Sequence, residues 1–291
     1  MVNAQICFLG GGNMARSIIA GLVNDGVAAQ SIMVVDRNQE KLDLLNQLFH
    51  VKTTRSIEDA VKCADIVMLC VKPQSLKELM FTIRSSLHKQ NKPLFISIAA
   101  GITLTQIAHW MVGNYAIVRA MPNTPSLIGC GASALFANEY VSRQQKEMAE
   151  QIMRKIGVIT WVDHENLIDV TTAISGSGPA YFFLMMEHMI DVAVSLGLSE
   201  KQATLLVTQT AFGASKMALE STQTLSSLRQ NVTSKGGVTA AALKAFSETG
   251  FKESIAHAIK ENLSRSQELA SQFGHALTHD EQKDKEGIKY D

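Results

Sequence analysis

Gly10-Gly11-Gly12-Asn13-Met14-Ala15 is the first stretch in which residue types and their order suggest a site. It reads G-x-G-x-x-A, directly after an apolar run and at the opening of a helical pattern. Gly10 permits a tight turn, Gly12 lets the backbone approach a pyrophosphate, and Ala15 is small enough for a helix to pack on a strand. Backbone N–H groups at the helix start hold the anion. Gly10, Gly12, Asn13 and Met14 are therefore expected to bind a dinucleotide; the competing reading is a glycine turn of purely structural use. The second apolar run ends at Val35-Asp36-Arg37-Asn38, where such a site reads the adenosine ribose. An acid there favours NAD through the 2′-hydroxyl, and a nearby arginine favours NADP through the 2′-phosphate. Asp36 and Arg37 point opposite ways. Arg37 and Asn38 can flank a phosphate if Asp36 turns away, so NADPH is the expected cofactor and NADH the alternative.

Three further loops follow apolar runs. Val71-Lys72-Pro73-Gln74 closes one, Ala99-Ala100-Gly101 the next, and Arg119-Ala120-Met121-Pro122-Asn123-Thr124-Pro125 the one after. Ligands of open α/β sheets bind at the carboxyl ends of strands. Val71, Lys72, Pro73, Ala99, Ala100, Met121, Pro122 and Asn123 therefore join the expected cofactor set, with the two alanines small enough to admit a nicotinamide ring. Against this, Lys72 reads equally as a solvated lysine at a turn, and the proline-rich loop as a rigid structural link between domains. Ser234-Lys235-Gly236-Gly237-Val238-Thr239 precedes a helical pattern in the second half. Its N–H groups and hydroxyls form an anion site suited to a small carboxylate, or else ordinary helix capping. Ser175-Gly176-Ser177-Gly178-Pro179 is a second glycine-serine turn, without the spacing of a hydrolase nucleophile elbow.

These loops need a scaffold. Gln5–Leu9, Ser31–Val35, Asp65–Val71, Leu94–Ala99 and Tyr115–Met121 read as strands. Helical patterns lie between them at Met14–Asn24, Gln39–Phe49, about Ser75 to Leu87, and Thr103–Met111. This alternation implies βαβ units and a doubly wound, mainly parallel sheet of the Rossmann type. From about Asp163 onward no strand is expected. Glu165–Thr172, Pro179–Leu196, Ser199–Glu220 and Val238–Thr249 read as helices, with Ser199 and Gln202 spaced as a capping box. Met185, Met186, Met189, Ile190, Val192, Ala193, Val194 and Leu196 nearly encircle one of them, which calls for burial on several sides and hence a partner subunit. The expected division is residues 1–162 for the cofactor, 163–274 for an all-helical domain, and a polar, frayed tail over 275–291.

Composition sets the outer bounds. The chain has 291 residues, 27 Lys+Arg against 27 Asp+Glu, and 46% hydrophobic residues. That excludes a disordered chain and argues against a nucleic-acid-gripping protein. Residues 1–160 carry 16 basic and 11 acidic side chains, a mild bias that suits an anionic small molecule. Cys7, Cys63, Cys70 and Cys130 include no C-x-x-C pair, so buried, reduced thiols are expected. His275 and His279 are expected to be solvated, and no metal site is expected. No apolar run approaches the ~20 residues that span a bilayer, and no charged leader precedes Arg16. A cytoplasmic protein without membrane attachment is expected.

FLGGGNMA near the start, VKPQ at 71–74, RAMPNTP at 119–125, SGSGPAY at 175–181 and VTSKGGVT at 232–239 occur together and in order. This set resembles pyrroline-5-carboxylate reductase over about residues 5–272. The resemblance implies a Rossmann domain, an all-helical dimerisation domain whose helices interlock between subunits, and a homodimer able to build a larger ring. It implies that the active site joins the cofactor domain of one subunit to the helical domain of its partner. Gly10 to Met14 and Val71 to Pro73 then contact the cofactor. Ser234, Gly236 and Gly237 donate to the carboxylate of a cyclic imino acid, and Thr239 hydrogen-bonds its ring nitrogen. Two positions depart from the family: Lys235 replaces a common proline, and Val238 a small residue or threonine. Two other readings stand beside it. One is a reductase of the same architecture for another imine or a 2-hydroxy acid, against which the absence of lysine in 163–172 weighs. The other is a non-catalytic dinucleotide-sensing dimer.

Overall fold

The computed structural model describes residues 4–87 and 92–286, with side chains described as far as Ser271. In chain order the first half runs β1 Ile6–Leu9, α1 Asn13–Asn24, β2 Ile32–Val35, α2 Gln39–Phe49, β3 Lys52–Thr54, α3 Ile57–Lys62, β4 Ile66–Leu69, α4 Pro73–Ser86, β5 Leu94–Ser97, α5 Leu104–Met111 and β6 Ile117–Met121. It continues with β7 Gly131–Ala137, α6 Arg143–Met153 and β8 Gly157–Trp161. The strands form one sheet in the order β3-β2-β1-β4-β5-β6-β7-β8. All neighbours are parallel except β6 and β7, which run antiparallel with Ala120 opposite Leu135. The expected doubly wound, mainly parallel sheet is thus present.

Local chemistry explains the elements. Strands β1 and β4 are buried along their whole length, which is why they read as continuous apolar runs rather than alternating ones. Asn38 caps α2 by accepting the Lys41 N–H at 3.1 Å. Pro73 opens α4, where its missing N–H is harmless. Thr103 and Gln106 make a reciprocal capping box on α5. Helices α1, α2 and α6 bury Ile18, Ile19, Leu22, Leu42, Leu45, Ile152 and Met153 against one sheet face. Helices α3, α4 and α5 bury Val61, Leu76, Met80, Ile83, Ile107 and Trp110 against the other. Each such side chain contributes about 1.5–3 kcal/mol, so two helix layers hold the strand ends, and the loops on them, in fixed register.

Sequence alone places nothing at β3, α3, β7, α6 or β8. Strand β3 has three residues and no buried one, and β7 (GASALFA) is too rich in small residues to alternate visibly. The thiol expectation needs correction: Cys7 is buried and Cys70 half-buried, but Cys63 and Cys130 are exposed, each on a loop. All four are free.

The second half contains only helices among its described residues from 166 onward. They are α7 Asn166–Thr171, a π turn Thr172–Gly176, α8 Gly178–Ser195, α9 Glu200–Glu220, α10 Leu225–Asn231, α11 Val238–Glu248 and α12 Phe251–Glu286. Ser199 and Gln202 form the expected capping box on α9. Helix α10 was not expected. The backbone of α12 is helical to Glu286, where a frayed tail from 275 was expected; residues 287–291 and the side chains of His275 and His279 lie outside the described residues. The chain divides into two compact units, Met1–Ser177 with Asn262–Asp291, and Gly178–Glu261. The second unit leaves Phe182, Phe183, Leu184, Leu205, Leu206 and Phe212 exposed in the single chain. None of the described helices is long and apolar enough to cross a membrane.

Candidate active site

The glycine loop joins β1 to α1. Gly10 has φ +104° and donates its N–H to the Val35 carbonyl at 2.8 Å. A Cβ there would lie 2.6 Å from the Cys70 carbonyl oxygen, so only glycine lets the loop pass the end of β4. Gly12 precedes the first turn of α1 in an extended conformation, with no side-chain cap and nothing within 4 Å of a built Cβ. An uncapped helix start beside open space is what a phosphate requires. Asn13 and Met14 are the first two helical residues.

A cleft of about 340 Å³ opens from this loop. Its walls include Gly10, Gly12, Asp36, Arg37, Lys41, Arg55, Cys70, Val71, Lys72 and Ser75. It lies where β1 is flanked by β2 on one side and β4 on the other, the switch point of the sheet. Four cations line it (Arg37, Lys41, Arg55 and Lys72) against the single carboxylate of Asp36. Lys41 and Arg55 were not in the sequence-derived set. Lys41 stands early on α2, where its pattern marked only a solvated face, and Arg55 follows β3, which was not recognised.

Asp36 is committed to the backbone. Its Oδ2 accepts the Gly11 N–H at 2.8 Å and its Oδ1 the Asn38 N–H at 2.9 Å. Lys41 Nζ stands 3.8 Å from Oδ2. Arg37 is 85% exposed and reaches only Glu78, at 3.5 Å, a pair too solvated to hold it.

The remaining expected cofactor residues lie along the same edge. Parallel pairing of β1, β4, β5 and β6 brings Gly10, Val71, Ala99 and Met121 to the carboxyl side of the sheet. Lys72 precedes α4 as its cap residue and Pro73 opens it. Ala99 is buried, its N–H donated to Ser97 Oγ at 3.3 Å, while Ala100 is exposed. Met121 is half-buried, but Pro122 and Asn123 are buried. The Asn123 amide is spent within the chain: Nδ2 donates to the Ser175 carbonyl and Oδ1 accepts the Ala132 N–H, both at 2.9 Å.

Arg119, buried in β6, carries a charge network that sequence reasoning missed. It pairs with Glu165 at 3.1 Å and Asp169 at 3.0 Å. Glu165 also accepts the Leu104 N–H at 2.7 Å, and Asp169 the Ser266 hydroxyl at 3.2 Å. An arginine inside an apolar strand was the available signal, since such a charge must be paired. Burial pushes the Cys7 thiol up to about 12 and raises Cys70, which lines the cleft, as well. Both stay protonated near neutral pH and are poor nucleophiles.

In the helical unit, Gly236 turns at φ +72° and Gly237 donates its N–H to the Ser234 carbonyl at 3.0 Å. A Cβ on Gly237 would run into the Ser234 hydroxyl. Gly237 caps α11 without any side-chain bond, Val238 is its first residue, and Thr239 is half-buried in its first turn. The loop is a second uncapped helix start, flanked by two hydroxyls and Lys235.

A family model described as pyrroline-5-carboxylate reductase dimerisation matches residues 165–269, and one described as NADP oxidoreductase, coenzyme F420-dependent, matches residues 5–101. The pyrroline-5-carboxylate reductase of Pseudomonas aeruginosa is 43% identical over 274 residues, covering 94% of this chain and 100% of that protein. The solved structure of a pyrroline-5-carboxylate reductase from Coxiella burnetii is 43% identical with a TM-score of 0.88, covering 92% of this chain and 98% of that one. The pyrroline carboxylate reductase of Plasmodium falciparum, solved with NADP bound, is 28% identical with a TM-score of 0.82, covering 93% of this chain and 99% of that one.

Proposed function

The chain belongs to the pyrroline-5-carboxylate reductase family, and from that premise we propose how its own residues serve the reaction. It is an oxidoreductase that reduces 1-pyrroline-5-carboxylate to L-proline, the last step of proline biosynthesis, with NAD(P)H. It is a homo-oligomer through its dimerisation domain. Neither another imine or 2-hydroxy acid nor a sensing role is favoured by any observation.

The cofactor, when bound, supplies the hydride to the imine carbon. Gly10, Gly12, Asn13 and Met14 hold its pyrophosphate on the N–H groups of α1. Val71 and Lys72 wall the cleft, Pro73 opens the helix beside it, and Ala99, Ala100 and Met121 leave room at the sheet edge. Arg37, with Asn38, Lys41 and Arg55, meets a 2′-phosphate, so NADPH is preferred over NADH. The observation that carries this preference is the commitment of both Asp36 oxygens to Gly11 and Asn38. The NADP held by the Plasmodium relative supports the same cofactor.

The Ser234 hydroxyl and the Gly236 N–H take the substrate carboxylate at the start of α11, while Gly237, whose N–H is turned onto the Ser234 carbonyl, joins them only if that bond opens. The Thr239 hydroxyl oxygen accepts a hydrogen bond from the protonated ring nitrogen and so orients it. A threonine hydroxyl is a poor acid, so the nitrogen must carry its proton before hydride arrives. Residues 1–162 then serve the cofactor, and 163–274 the substrate and dimerisation. A ring of dimers and a cytoplasmic site are part of the proposal; four free cysteines support a reducing compartment.

The test is oxidation of NADPH and, separately, NADH by purified protein with pyrroline-5-carboxylate. A higher kcat/KM with NADPH is expected. Equal values would count against the role given to Arg37, and a preference for NADH would assign the ribose to Asp36.

A further inference from the structure

We propose that Asn123 is a positioning residue rather than a cofactor ligand. Its carboxamide latches the loop after β6 to the π turn before α8, fixing Met121 at the edge the nicotinamide must reach. The inference rests on the reading that Met121 borders the cofactor.

Asn123 is buried, and both ends of its amide are engaged with backbone. Nδ2 donates to the Ser175 carbonyl at 2.9 Å and Oδ1 accepts the Ala132 N–H at 2.9 Å. One side chain thereby ties together its own loop, the start of β7 and the π turn. That turn is closed by the Ser177 N–H donating to the Thr172 carbonyl at 2.9 Å. Widened turns of this kind recur at functional sites. Next to the latch, a Cβ on Gly176 would lie 2.9 Å from Met121 Cε, so the methionine methyl rests against bare glycine. On its far side the turn is held again, by Asn262 Nδ2 donating to Ser177 Oγ at 2.9 Å. A group spent in this way offers a ligand little, but it fixes the geometry of the residues that do meet one.

Asn123→Asp keeps the shape and the acceptor but sets an oxygen against the Ser175 carbonyl. Gly176→Ala pushes on Met121 from the other side and leaves Asn123 intact. For both variants the NADPH Kd, read by fluorescence titration, is expected to stay within about twofold of wild type, while kcat falls about ten- to a hundredfold through misplacement. With NADPH deuterated at the transferred position, the isotope effect on kcat is expected to rise, because hydride transfer becomes the slow step. A raised Kd with an unchanged isotope effect would make Asn123 a cofactor ligand and overturn the proposal. A lowered Tm with wild-type kcat and isotope effect would make it scaffold only, and overturn it too. If Asn123→Asp fails to fold, Asn123→Ser, which removes both amide bonds without adding a charge, is read by the same measurements. A wild-type protein without turnover would remove the latch together with the reaction it serves; active wild type with indistinguishable variants would remove the latch only.

Discussion

A carboxylate that accepts a backbone N–H on each oxygen has half of its acceptor capacity spent and its orientation fixed by the fold. Asp36 is in that position, with Lys41 beside it, which favours its basic neighbours in cofactor selection. Arg37→Ala is therefore expected to lower kcat/KM for NADPH about tenfold, the effect of losing one charge-assisted contact of ~1.4 kcal/mol, and to leave NADH nearly unchanged. Steady-state kinetics with both cofactors reads this; equal losses would count against it. Thr239→Ala is expected to lower kcat about ten- to a hundredfold, as for one lost hydrogen bond at a reacting centre, with NADPH still bound. Wild-type turnover in that variant would end the role given to Thr239. Cys7 makes a prediction in pH. Its thiol is raised from 9.0 to about 12 in the fold, so above pH 9 the unfolded chain sheds a proton that the folded chain keeps. Stability then falls with rising pH, by up to ~1.4 kcal/mol per unit, until the folded thiol ionises near 12. Cys7→Ala is expected to flatten that slope in urea melts at pH 9–11, and an identical slope would mean that Cys7 does not titrate as described. At this scale the glycine loop was legible because Gly10 is required by backbone geometry, and Gly12 leaves the start of α1 open to a ligand. Lys41 and Arg55 were not, because a lysine or arginine joins a site only through the fold that carries it there. Asn123 was legible as a loop amide but its backbone partners were not, since an amide reads alike whether it faces ligand or backbone.

Between elements, Arg119 ties several parts of the fold together. Through Glu165 and Asp169 it links β6 to the start of α5, to α7 and to α12. Replacing it by leucine leaves two acids without their partner in a buried place, so Arg119→Leu is expected to cost about 3–5 kcal/mol, seen as a large drop in the urea midpoint. A midpoint within experimental error of wild type would show that water reaches the two acids. Elements with strong periodicity or a cap were legible: α2 by its leucines, α9 by Ser199 and Gln202. Those that depend on neighbours were not. Strand β8 is half-exposed, and α12 is polar for much of its length, so neither carries a pattern strong enough to stand apart from loop.

For the whole molecule, the helical unit leaves Phe182, Phe183, Leu205, Leu206 and Phe212 uncovered in one chain. Patches of that kind mark subunit interfaces, in agreement with the dimerisation model that matches this region. Melting should then depend on protein concentration: Tm is expected to rise on going from a dilute to a concentrated sample, and a constant Tm would mean that the chains do not share this surface. Fold class was legible from the alternation of apolar runs with helical patterns, and the need for a partner from the over-apolar α8. The discontinuity of the cofactor-bearing unit was not, because it depends on where α12 leads. That unit combines Met1–Ser177 with Asn262–Asp291, and Asp169, Ser177 and Gln106 each bond to residues beyond 261. During synthesis the whole of Gly178–Glu261 must leave the ribosome before those partners exist. At about 5–20 residues per second, that is a delay on the order of ten seconds. A nascent chain paused in that interval presents all eight strands without their bonds to α12, and a message truncated before codon 262 yields a product that never makes them.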